Sequence, residues 1–223
     1  MKIGIISDIH SNLVALERVL ERLEGCDEII CAGDVVGYYP YFNEVVEIFR
    51  KERIYSVLGN HDYSIITGDF SELDTYGKIS AGYIRKNIEE KNLSWLENLP
   101  LKLETGRFNV YHGIPADSLD AIKLHVFPTF PLIEKILEVE GKSVVVGHTH
   151  IQFMKEHRNF RVVNPGSVGQ PRDGDSRACY AIYDTERDSF KLDRVAYNID
   201  EVYLEVHRAG LPHILAIRLY EGV

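Results

Sequence analysis

Three short apolar runs, KIGIIS (2–7), DEIICA (27–32) and IYSVL (54–58), alternate with two segments whose apolar residues recur at helical spacing. Short, nearly continuous apolar runs suit strands buried on both faces. Leu13, Leu16, Val19, Leu20 and Leu23 line one face of the first helix, with Ser11-Asn12 offering an N-cap. Val45, Val46 and Phe49 face inward on the second, with Asn43 as its cap. This βαβαβ order predicts a parallel sheet covered by helices.

The rest of the chain is less regular. Tyr76, Ile79, Tyr83, Ile84 and Ile88 predict a helix, and LSWLENLP (93–100) a further helical turn stopped by Pro100. Residues of about 63–100 therefore form a helical, lid-like insert. FNVY (108–111) and SVVV (143–146) read as strands, with a helix near Leu132–Val139 between them. Three later runs, FRVV (160–163), ACYAIYD (178–184) and SFKLDRVAY (189–197), are separated by turns rich in Gly, Pro and Asp. They predict a second, antiparallel sheet. The tail, about 199–221, reads as amphipathic helix broken around Gly210-Leu211-Pro212, able to pack on the core or to pair with a second chain. No repeat or Ser/Gly linker divides residues 1–223, so one domain is expected.

The polar residues fall at the ends of the strand-like runs. IGIIS ends at Asp8-Ile9-His10, EIICAG at Asp34, YSVLG at Asn60-His61-Asp62, FNVY at His112, and SVVVG at His148-Thr149-His150. Ligands of open α/β sheets bind outside the carboxyl ends of the strands, and five of the nine histidines gather there. Carboxylates, imidazoles and one amide, with no cysteine, argue against a closed thiolate zinc site and suit Mn, Fe, Co, Ni or Zn. They are too many for a single ion that keeps an open position. Two ions sharing a carboxylate use them. GNHD (59–62) alone is ambiguous: an amide, an imidazole and a carboxylate are turn chemistry, or a ligand, an acid and its orienting partner. His125, His157, His207 and His213 read as structural, although the loop carrying His125 can reach the site.

Composition narrows the function. The formal charge of −9 argues against a broad nucleic-acid surface, yet a bound divalent cation can reverse the local field for an anionic substrate. No run approaches the roughly 18 apolar residues of a membrane span. Cys26, Cys31 and Cys179 read as reduced, mostly buried thiols. With no signal-peptide layout at the N-terminus, the expected location is cytoplasmic.

In order, DxH, GDxVG (33–37), GNHD, HG (112–113) and GHTH (147–150) resemble the calcineurin-like metallophosphoesterases. GYxPxxNE (37–44) and NPGSVGQPRDGD (164–175) are similar to the small phosphodiesterases of the YfcE type within that family. The resemblance implies an α/β fold, an αββα sandwich of two mixed sheets flanked by helices, with two divalent metals at one edge. Asp8, His10 and His150 would bind one metal, and Asn60, His112 and His148 the other. Asp34 would bridge them. A hydroxide held between two metals ~3.5–4 Å apart would attack phosphorus in line. His61 would bond the phosphate or protonate the leaving alkoxide, with Asp62 orienting it. The implied substrate is a small phosphodiester or nucleotide-like ester. A monoesterase, a protein phosphatase and a non-catalytic scaffold of the same fold are the alternatives.

Two features are left open. Arg172 and Arg177 flank PRDGDSR, so one steadies a substrate phosphate or both pair with Asp173 and Asp175. Tyr39, Tyr41 and Phe42 stand where smaller or acidic residues are common in the family. They stack an aromatic substrate group, or they pack under the 63–100 segment.

Overall fold

The computed structural model describes residues 1–129 and 133–223. The strands and helices follow the order β1 (Lys2–Ile6), α1 (Leu13–Leu23), β2 (Glu28–Cys31), α2 (Phe42–Lys51), β3 (Tyr55–Ser56), α3 (Asn60–Thr67), α4 (Thr75–Asn87), α5 (Glu90–Glu97), β4 (Leu103–Glu104), β5 (Phe108–Val110), α6 (Ile133–Glu140), β6 (Ser143–Val145), β7 (Phe153–His157), β8 (Phe160–Asn164), β9 (Ala178–Asp184), β10 (Ser189–Val195), α7 (Ile199–Arg208) and α8 (Ile214–Ile217). Leu132, expected to open α6, lies outside the described residues.

Two five-stranded sheets stack face to face, with orders β10-β9-β1-β2-β3 and β4-β5-β6-β8-β7. β1, β2 and β3 are parallel, as are β5, β6 and β8; antiparallel β9 borders the first trio at β1, and antiparallel β4 and β7 border the second on both sides. Strand alternation builds four layers. Ile3, Ile5, Phe108, Val110, Val145 and Val163 point into the core between the sheets. Ile6 turns outward under α1 and α2, while Val144, Val146 and Val162 turn outward under α6. The αββα sandwich is thus present. The separate antiparallel sheet is not. FRVV joins β6 in the second sheet as a parallel partner, whereas β9 and β10 extend the first sheet through antiparallel pairing of β9 with β1. Short alternating strands read alike locally, and their partners are chosen by distant residues.

Asn12 caps α1 as expected, accepting from the Ala15 amide at 3.1 Å. Asn43 does not cap α2. It lies inside the helix, and its side chain ties α2 to the end of α4 through Asn87 O (3.2 Å) and to the start of α5 through the Glu89 amide (3.0 Å). Residues 63–100 contribute Ile65, Leu73, Ala81, Ile84 and Leu96 to the same buried cluster as α1 and α2. The tail packs Val202, Val206, Leu215 and Leu219 against Val14, Tyr38 and Tyr39. Among the described residues, no helix is long and apolar enough to cross a membrane.

Candidate metal centre

The loops leaving β1, β2, β3, β5 and β6 converge at one edge of the sandwich. Several turn through left-handed backbone: φ is 53° at Asp8, 51° at His10, 53° at Asp34, 68° at His148 and 59° at His150. Non-glycine residues in this region are held there by their surroundings, at about 1–3 kcal/mol each. The surroundings are visible. Asp8, His10 and Ser11 amides bond the carbonyls of Gly33, Asp34 and Val35, clamping the first loop onto the second. Gly59 has an extended backbone, so a sharp turn is not why it is glycine. A Cβ there would collide with the carboxylate and amide of Asp34.

Two groups of side chains bring their ligand atoms within 4.8 Å of one another: Asp8, His10, Asp34 and His150, and Asp34, His112 and His148. Asp34 belongs to both. Its Oδ2 lies 3.6 Å from His10 Nε2 and 3.3 Å from His112 Nε2. Asn60 Oδ1 stands 3.0 Å from His112 Nε2, adding a neutral oxygen to the second group. All seven residues are at the edge where the sequence placed them. Backbone carbonyls fix the outer nitrogens: His112 Nδ1 faces Ala32 O at 2.7 Å, His150 Nδ1 faces Gln170 O at 2.6 Å, and His148 Nε2 faces Lys123 O at 3.1 Å. Such partners set the tautomer and aim the other nitrogen at a metal.

The electrostatics fit a cation. Asp34 Oδ2 and His10 Nδ1 are buried without a well-formed hydrogen bond, which leaves a buried carboxylate oxygen only loosely compensated by the imidazoles around it. Burial pushes the Asp8 carboxyl up to about 7, with Asp34 adding like-charge repulsion. Burial opposes ionisation of Asp34 too, but the imidazoles of His112, His61 and His10 outweigh it and hold the carboxyl well below the usual range. Burial also keeps His10, His148 and His150 below the ordinary imidazole value. Neutral imidazoles offer lone pairs, so these three histidines are in the state a metal requires.

His61 stands beside the cluster. Its ring packs 4.7 Å from those of His10 and Tyr38, and its Nδ1 has no partner. Its amide donates to Asp34 Oδ1 at 2.9 Å. Asp62 does not hold the His61 ring. Its carboxylate accepts from the amides of Val36 (3.0 Å), Gly59 (3.1 Å) and Val35 (3.3 Å), fastening the Asp34 loop to the start of α3. Adjacency in sequence suggested an acid–imidazole pair, but the helix start and the loop amides claim the carboxylate. Asp62→Ala is therefore expected to lower the unfolding free energy by roughly 3–5 kcal/mol, because three buried donors lose their acceptor. Denaturant titration measures this. A loss below about 1 kcal/mol together with a large fall in kcat would restore the orienting role.

Arg172 also departs from local pairing. Asp173 is taken by Arg194 and Asp175 by Arg177. Arg172 instead lines a cavity of about 210 Å³ with Asp34, Asn60, His61, His148 and His150. Tyr39 and Phe42 are buried in apolar clusters, which removes them as stacking surfaces for a substrate, and Tyr41 packs against the same clusters. The aromatic that lines the cavity is Tyr38, itself largely buried, which the sequence does not single out because nothing distinguishes it from its neighbour. Glu72 and Asp74, from the loop before α4, complete one wall. His125 reaches the site, stacking on His148 at 3.8 Å between ring centroids. Asn164 Nδ2 bonds Gly147 O (2.8 Å) and Ser167 Oγ bonds Asp8 O (2.7 Å), so NPGS braces the ligand loops from behind.

A model of the calcineurin-like phosphoesterase superfamily domain matches residues 1–188. An uncharacterized protein of Methanocaldococcus jannaschii is 36% identical over 242 residues, spanning 99% of this chain and 98% of that one. Phosphodiesterase YfcE of Escherichia coli K12 is 26% identical over 196 residues, 83% of this chain and 89% of its own length. The crystal structure of a metallophosphoesterase from Sphaerobacter thermophilus superposes with a TM-score of 0.84 at 33% identity, covering 100% of this chain and 99% of that one. With the two stacked mixed sheets and the ligand-bearing loops at their edge, these matches establish that the chain belongs to the calcineurin-like phosphoesterase superfamily.

Proposed function

We propose that the protein hydrolyses a small phosphodiester at this cluster, with two divalent cations held by Asp8, His10, Asp34 and His150 and by Asp34, Asn60, His112 and His148. The observation that carries the reading is Asp34, a buried carboxylate common to both ligand groups with one oxygen unpartnered. Two ions in such a site neutralise phosphate oxygens and acidify a water, which is the chemistry a phosphoester needs.

The chain's own residues do the rest. Asn60 and Arg172 bind and orient the phosphate from two sides of the cavity. His61 donates a hydrogen bond to it or delivers a proton to the leaving alkoxide oxygen, the step a poor leaving group most requires. The cavity is small beside the ~300–1,000 Å³ of ordinary ligand sites. The carboxylates of Glu72 and Asp74 on its wall repel further negative charge. Both features favour a compact ester with one phosphate over a polyphosphate. We place the protein in the cytoplasm, consistent with three unpaired cysteines.

The test is metal analysis with an assay on bis(p-nitrophenyl) phosphate and p-nitrophenyl phosphate in added Mn²⁺ or Ni²⁺. Two ions per chain with faster turnover of the diester are expected. Preference for the monoester would make the protein a phosphomonoesterase. A chain that binds no metal and cleaves neither is a scaffold on this fold.

A further inference from the structure

The segment beyond residue 198 lies outside the matched domain, yet it reaches the residues around the phosphate cavity at two points, one behind the wall and one on it. Tyr39 is fully buried beneath it. The Tyr39 hydroxyl donates to the carbonyl of Leu215, in α8, at 2.9 Å. The same oxygen accepts from Gln170 Nε2 at 3.0 Å. At the other end of that amide, Gln170 Oε1 accepts from Arg172 twice, from Nε at 3.1 Å and from Nη2 at 2.6 Å. Arg172 Nη2 also donates to the Tyr38 hydroxyl at 3.2 Å. The second point of contact is Arg218, just after α8, whose guanidinium lies 5.2 Å from the Tyr38 ring centroid.

The order of donors and acceptors in this chain is not free. A hydroxyl has one proton, and the Leu215 carbonyl can only accept. With that proton committed to the tail, Tyr39 presents a lone pair to Gln170. The Gln170 amide must then turn its NH₂ toward Tyr39 and its oxygen toward Arg172. Without the tail carbonyl, the tyrosine proton can point the other way and the amide can flip, setting two N–H donors against a guanidinium that only donates. A buried side-chain amide has few other partners, so the network is fixed from its far end.

Arg172 is held in an unusual manner. Its partners are an amide oxygen and a phenol, both neutral, and it makes no ion pair among the described residues. Its Nη1 makes no hydrogen bond there either, while the residue lines the cavity beside Asn60 and His61. A guanidinium oriented by neutral acceptors keeps its full charge for an anion, and its fixed plane suits two phosphate oxygens. Gln170 joins both halves of the site, because its backbone oxygen also holds His150 Nδ1.

The geometry points to the C-terminal segment as a working part of the phosphate site: through Leu215, Tyr39 and Gln170 it positions Arg172 for the substrate phosphate. Tyr39 and Gln170 are positioning residues, acting through Arg172 rather than on the substrate. The inference rests on the phosphoester reading of the cavity.

The experiment uses the full metal-loaded chain, with inorganic phosphate binding followed by calorimetry and steady-state kinetics on bis(p-nitrophenyl) phosphate. Tyr39→Phe keeps the ring and removes the link. It is expected to weaken phosphate binding and raise KM about five- to tenfold, the worth of one net hydrogen bond. kcat should stay within about twofold and metal content unchanged. In an Arg172→Ala background, Tyr39→Phe should change neither constant further. Arg218→Met, which leaves the buried relay intact, should shift phosphate binding in the same direction by a smaller factor. Equal phosphate binding by wild type and Tyr39→Phe overturns the inference, as does an undiminished Tyr39→Phe effect in the Arg172→Ala background. A wild-type chain that binds no phosphate overturns the phosphoester reading itself, and this inference with it.

Discussion

His61→Ala is expected to lower kcat by about 10²–10⁴ while two metal ions per chain are retained. The loss should be steepest for esters with poor leaving groups, which depend most on a delivered proton. The structure explains why this variant separates chemistry from assembly. The hydrogen bond His61 makes to the ligand set runs through its backbone, whose amide donates to Asp34 Oδ1 at 2.9 Å. Alanine keeps that amide. Only the ring is removed, and its Nδ1 has no partner to strand. Asn60 is one residue away and should behave in the opposite manner. Its oxygen lies 3.0 Å from His112 Nε2, inside the second ligand group, so Asn60→Ala should lose metal first and rate as a consequence. Unchanged turnover in His61→Ala, measured beside metal content, would remove His61 from the mechanism.

Asp34→Asn should abolish the loading of both sites and reduce turnover by a factor on the order of 10³ or more, since several kcal/mol of charge stabilisation disappear together. The substitution is nearly isosteric. Its amide oxygen can still accept from the His61 backbone, so the fold is expected to survive. What is lost is a negative charge common to two clusters. The charge also governs its neighbours: burial disfavours the imidazolium of His112, but Asp34 and Asp8 raise it to about 9. Without the Asp34 carboxylate that imidazole should titrate lower, which NMR of the metal-free variant would show. Retention of one full equivalent of metal in Asp34→Asn would mean that the clusters are independent and that Asp34 is not shared.

The gathering of the candidate ligands was legible because each sits where an apolar run stops. Asp8, Asp34, Asn60, His112 and His148 needed only the period of their own strands to be assigned to one edge. The errors arose wherever a residue's partner was distant in sequence. β8, β9 and β10 resemble one another locally, but β8 pairs with β6 while β9 pairs with β1. Arg172 was free to enter the cavity only because Arg194, more than twenty residues later, takes Asp173. Tyr39 is buried because the tail covers it, so its role as a link rather than a stacking surface was unreadable from GYYPYFNE. Asp62 was misread for the converse reason. Its neighbour His61 was the obvious partner, but three backbone amides competed successfully for the same oxygens.

The left-handed backbone at Asp8, His10, Asp34, His148 and His150 has a consequence for anyone seeking to move this chemistry elsewhere. A graft of the seven side chains onto another scaffold would copy the donors without the conformation that aims them. The recipient would need loops already bent at five non-glycine positions, and enough neighbouring structure to keep them bent against a penalty of about 1–3 kcal/mol apiece. The transplantable unit is therefore the set of interlocked loops, with the β-strands that anchor them, rather than a list of residues.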